Sequence, residues 1–97
     1  MKKQAVRWEV KVKGSERSIQ LFDKDGNKID GRDAYWSGGL SCSNNSLTSL
    51  EGAPSEVSGG FDCSHNSLTS LKGAPNEVGG DFYCYSNKLT SLEGAPS

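Results

Sequence analysis

The chain has 97 residues, 33% of them hydrophobic, with 12 glycines and a formal net charge of −1. That length fits one domain, or a fragment of a longer one, and the near-neutral balance lacks the basic stripe that nucleic-acid binding needs. No apolar run reaches membrane length, and Met1-Lys2-Lys3-Gln4 leads into alternating residues rather than a signal peptide.

Residues 5–13 alternate strictly, with Val6, Trp8, Val10 and Val12 on one side and Arg7, Glu9, Lys11 and Lys13 on the other. This period of two predicts a half-buried strand whose valine–tryptophan face packs on the rest of the chain. Gly14-Ser15-Glu16-Arg17 reads as a turn, and Ser18 to Phe22 as a second strand with Ile19 and Leu21 on the face opposite Gln20 and Phe22. A third short strand is expected around Lys28-Ile29-Asp30, after the turn Asp23-Lys24-Asp25-Gly26-Asn27. That turn opens like a calcium loop, which would need Gly at its sixth position and Glu at its twelfth. The chain has Lys28 and Ala34 there, so an Asp-Gly turn without metal is the reading. Residues 1–35 thus read as an antiparallel β-meander.

A 21-residue repeat follows. Cys42, Cys63 and Cys84 stand in register, as do Asn45, Asn66 and Asn87, and Leu47, Leu68 and Leu89. Leu50, Leu71 and Leu92 continue the pattern, and Gly-Ala-Pro triplets close each copy at Pro54, Pro75 and Pro96. In Leu40-Ser41-Cys42, Phe61-Asp62-Cys63 and Phe82-Tyr83-Cys84 the outer residues are apolar and the middle one faces away. That spacing predicts one short strand per copy, stacked into a narrow parallel sheet with thiols inward. An inward Asn three residues later can bond the loop backbone of its own copy and the next. Trp36 aligns with Val57 and Val78, so the first segment runs directly into the repeats.

The pattern L-x-C-x-x-N-x-L-x-x-L resembles a leucine-rich repeat, most closely the short Pro-containing repeats of bacterial and bacteriophage proteins. The resemblance covers residues 36–97. It implies a mostly β chain: a short leucine-rich-repeat solenoid with a narrow parallel sheet, whose first turn residues 1–35 cap. Ala-Pro stands where the bacterial effector form usually has Leu-Pro, and a V-x-G-G or V-G-G-D linker precedes the strand. The family implies a host–phage or effector-type interaction.

Three cysteines 21 residues apart suit neither a disulfide framework nor a CxxC zinc site. They read as buried free thiols in a reducing, cytoplasmic compartment. His65 is the single histidine, and the chain has no phosphate loop and no nucleophile elbow. No catalytic residue, metal site or cofactor is therefore assigned.

Positions identical in all copies are scaffold; those that vary and point outward are free to serve a partner. These are Ser41, Asp62 and Tyr83 at mid-strand, then Ser43, Ser64 and Tyr85, then Asn44, His65 and Ser86. Exposed tyrosine anchors interfaces at little entropic cost. Asp62, His65, Tyr83 and Tyr85, with Ser41 and Asn44, form the expected binding surface for a protein partner. Two other outcomes are open: self-assembly, including a homodimer, through the edge around Phe82, Leu89 and Leu92, or a recruitment fragment of a larger effector or enzyme.

Overall fold

A computed structural model describes residues 2–95. Pro96, the proline of the third Gly-Ala-Pro triplet, and the terminal Met1 and Ser97 lie outside the described residues. The fold is mostly β, with parallel and antiparallel sheets. Strands β1 (Lys3–Ala5), β5 (Ala34–Trp36), β7 (Glu56–Val57) and β9 (Glu77–Val78) form one parallel sheet in that order. Strands β6 (Leu40–Ser41), β8 (Phe61–Asp62) and β10 (Phe82–Tyr83) form a second. Strands β2 (Arg7–Lys13), β3 (Glu16–Phe22) and β4 (Lys28–Ile29) make the antiparallel third.

The register of both parallel sheets is the sequence repeat. Leu40 pairs with Phe61 and Phe61 with Phe82, each 21 residues on; Trp36, Val57 and Val78 align the same way. The strands are short because the chain must turn after each cysteine. Asn44, His65 and Ser86, two residues past Cys42, Cys63 and Cys84, adopt φ of 60°, 56° and 56°. Such left-handed residues cannot continue a strand.

The alternation buries what it should. Leu40, Cys42, Phe61 and Cys63 are buried, whereas Ser41 is exposed and Asp62 half-buried. Leu47, Leu50, Leu68 and Leu71 are fully covered. The asparagine column ties the copies together, but it reaches backward rather than forward. Asn66 Nδ2 donates to the carbonyls of Cys63 (3.0 Å) and Ser64 (3.3 Å) in its own copy and to Cys42 (3.1 Å) in the preceding one. Its Oδ1 accepts from the N–H groups of Asn45 (3.0 Å) and Leu47 (2.9 Å). Asn87 repeats the arrangement on Cys63 and Leu68. One amide thereby bonds five backbone groups, and among the described residues it is the acceptor on which the Asn45 and Leu47 N–H groups depend.

The first segment departs from the alternation pattern in two ways. The strand expected over residues 5–13 is two strands: Lys3–Ala5 joins the first parallel sheet, Ala5 beside Trp36, and the chain crosses at Val6 into the meander. Sheet one thus draws strands from both sides of the expected 35/36 boundary. The second departure concerns which face packs. Val6 and Val12 are 48% and 59% exposed, and only Trp8 and Val10 lean on the core. Ile19, Leu21 and Ile29 carry the packing instead. The cause is strand order. β3 is central, with β2 along one edge, and its other edge meets β4 and the first repeat. There Ile19 N–H donates to the Glu51 carbonyl (3.0 Å) and Thr48 N–H to the Arg17 carbonyl (2.9 Å). Gly52, at φ +93°, brings its backbone against the Ile19 carbonyl, where a Cβ would collide. Phe22, expected on the outer face, is covered by the Arg7 guanidinium 4.0 Å above its ring.

Candidate functional site

The outer face of β6, β8 and β10 places Ser41, Asp62 and Tyr83 side by side in register. Its C-terminal half is a cluster of aromatic rings. Tyr85 makes edge contacts with His65 (ring centroids 5.1 Å apart, planes at 87°) and with Tyr83 (6.3 Å, 75°). Both tyrosines stay open, at 47% for Tyr83 and 57% for Tyr85. Asp62 Oδ1 accepts from the Ser64 N–H (2.9 Å), which fixes this carboxylate beside the rings. Ser41 and Asn44 lie in the first copy; the Ser41 and Ser43 hydroxyls are 3.1 Å apart. The structure therefore joins Asp62, His65, Tyr83 and Tyr85, with Ser41 and Asn44 at the far end.

Two residues of the expected outward band behave differently. Ser64 is fully buried, and its hydroxyl has no hydrogen-bond partner among the described residues. It belongs to the middle copy, which has a neighbour on each side, whereas Ser43 is half-buried and Tyr85 exposed. Asn44 is exposed, but its φ of 60° makes it a backbone requirement as much as a free surface position.

Asp81 was not foreseen as part of this surface. The Tyr83 hydroxyl donates to Asp81 Oδ2 (3.1 Å), and this hydrogen bond, reinforced by the negative charge, raises the Tyr83 pKa above its usual value. The sequence held a signal: Asp81 stands where Gly39 and Gly60 stand in the other copies, and residues two apart share a strand face.

Behind the face, the Cys42 and Cys63 thiols are un-ionised at neutral pH. Burial pushes Cys63 up to about 12 and Cys42 further in the same direction. The Cys63 thiol donates to the Tyr83 carbonyl (3.4 Å). Such thiols act as small packing groups, not nucleophiles. Among the described residues no group of three His, Cys, Asp or Glu side chains is placed to hold a metal. The Asp23 carboxylate is occupied within its own turn, its Oδ1 accepting from the N–H groups of Asp25 and Asn27, both at 2.9 Å. These bonds, that from Asn27 foremost, hold it below the ordinary carboxylate pKa.

A wide, open groove of about 1080 Å³ runs between the meander and the Glu51–Ala53 segment. Lys11, Lys13, Lys28 and Arg32 line it together with Glu16, Asp30 and Glu51. None of the aromatic cluster borders it, and the mixed charges select no ligand. No helix among the described residues is long and apolar enough to cross a membrane. No protein-family model matches the chain, and neither a curated protein nor a solved structure does.

Proposed function

We propose that residues 36–97 form a short leucine-rich-repeat solenoid of the bacterial and bacteriophage kind, capped by residues 1–35. In this reading it is a non-catalytic module that binds a protein partner through the outer face of β6, β8 and β10. The single observation behind this is the His65–Tyr85–Tyr83 cluster: three interlocked rings, two of them about half exposed, on a backbone pinned by the asparagine column. Rings held this way present large contact area with little freedom left to lose on binding, the feature that marks interface anchors. The parallel 21-residue register supports the solenoid, and the free thiols suit a reducing cytoplasm.

The test is affinity capture from a bacterial lysate, with and without phage infection, followed by Tyr83→Ala and Tyr85→Ala. Each substitution is expected to weaken the captured complex by about 1–2 kcal/mol or more. Unchanged capture by the double variant would remove this face from consideration. A second reading, self-assembly through the third copy, rests on Leu92, which is 68% exposed. Light scattering of the parent chain and of Leu92→Lys at high concentration separates the two, since only assembly through the third copy is lost in the variant.

A further inference from the structure

We infer that β2 is a self-complementary edge through which two copies of this chain pair antiparallel, extending the meander into one six-stranded sheet. β2 is among the longest strands in the fold, at seven residues, and among the described residues it is hydrogen-bonded along one side only, to β3. The other side of β3 is taken by β4 and by Thr48–Glu51, so β2 lies outermost and its free edge points away from the repeats. Most of the strand is exposed, including Val12. A free edge of this length offers a row of unpaired backbone donors and acceptors.

The side chains specify what fits. On β3, Lys13 faces Glu16, but Lys11 faces Ser18 and Glu9 faces Gln20. Arg7 is held by Glu9 and stacks on Phe22. Lys11 is thus the cation of β2 with no acid across from it. Placing a two-fold axis at Val10 sets Glu9 opposite Lys11 of the second copy, and Lys11 opposite its Glu9. It also sets Trp8 opposite Val12 of the second copy, covering the valine that the monomer leaves open. Arg7 then meets Lys13 of the second copy, a like-charge contact softened by Glu9 beside Arg7 and by Glu16 across from Lys13. Sliding the pair two residues toward the N-terminus would instead set Glu9 on Glu9 and Arg7 on Lys11. The charges along this edge therefore favour the Val10-centred register over the one two residues toward the N-terminus.

Sedimentation equilibrium of the full chain at submillimolar concentration tests the inference. The chain is expected to dimerise reversibly, more weakly as salt rises. Glu9→Lys turns both cross-pairs repulsive and is expected to raise the dimer Kd about tenfold. Glu9→Lys combined with Lys11→Glu restores the pairs in swapped order and returns the Kd to the original range. Leu92→Lys, at the other end of the molecule, leaves it unchanged. A chain that stays monomeric overturns the inference. So does a dimer insensitive to Glu9→Lys, or one that the swap fails to rescue.

Discussion

Leu50 and Leu92 occupy the same place in the repeat, yet Leu50 is fully buried and Leu92 is 68% exposed. The contrast marks the two ends of the parallel stack. At the first copy, β3 lays its backbone along Thr48–Glu51 and Gly52 closes against Ile19. At the third copy, no later strand pairs with β9 or β10 among the described residues. Phe82, Cys84 and Leu89 are accordingly half-buried, where Phe61, Cys63 and Leu68 are buried. One side-chain pattern thus has different energetic weight according to its neighbours, because burial, not residue type, sets the hydrophobic contribution.

The harshest way to break the comparison is to remove its covered end. Deleting residues 1–35 exposes the first copy on a stack that is already open at the third. The expected outcome is a chain with no cooperative thermal transition, since so few repeats cannot supply their own core. A sharp melt would mean that the meander covers nothing essential. Next come the leucines themselves. Leu50→Ala is expected to cost about 2–5 kcal/mol in denaturant melts. Leu92→Ala should stay within about 0.5 kcal/mol. Equal costs would show that the third copy is covered in solution.

The asparagine column sharpens the same contrast on a smaller scale. Asn66 makes five bonds across two copies, and Asn66→Ala should cost about 1–3 kcal/mol by leaving buried groups unpaired. The Asn45 side chain donates only within its own copy, to Cys42 and Ser43, so Asn45→Ala should cost less. Asn44 is the control that the structure changes. Its outward position alone suggests a silent alanine, but φ +60° implies a cost of about 1 kcal/mol, which Asn44→Gly should avoid.

Thiol labelling reads the gradient directly. Cys84, partly exposed at the open end, should react with a thiol reagent in the native state. Cys42 and Cys63 should react only on unfolding, being buried and held protonated up to a pH near 12 for Cys63. Equal labelling of all three would contradict the inward thiol column.

The residues that were legible beforehand are those whose role recurs. Cys, Asn and Leu at fixed offsets imply one register, and the paired strands adopt it. What was not legible depends on neighbours rather than on the local pattern. Alternation assigns Val6 and Val12 to a face, but it cannot say that β3, not β2, becomes the central strand. Ser64 reads as a polar surface residue until a copy packs on each side of it. At the candidate surface, the variable tyrosines were visible as departures from the repeat, whereas the acid paired with Tyr83 sat in the V-G-G-D linker, outside the outward positions read as candidates.

That acid gives the smallest effect and ties the surface to the open end. A Cβ at Gly60 would come within 3.0 Å of the Asp81 carbonyl in the following copy, so side chains are disfavoured there. At position 81 no following copy presses on the chain among the described residues, and a carboxylate can stand beside Tyr83. Asp81 accepts the phenolic hydrogen and its charge opposes the phenolate, so Tyr83 ionises above the usual tyrosine value of 10.0. The sign follows: the folded chain favours the neutral phenol, and this preference is lost only as pH rises through the raised pKa. Asp81→Asn should therefore move the Tyr83 transition downward in an ultraviolet titration, with Tyr83→Phe identifying which transition is Tyr83. Both groups face water, so the melting temperature should hold. If the transition does not move, Asp81 is not bonded to Tyr83 and the acidic border of the aromatic cluster reduces to Asp62.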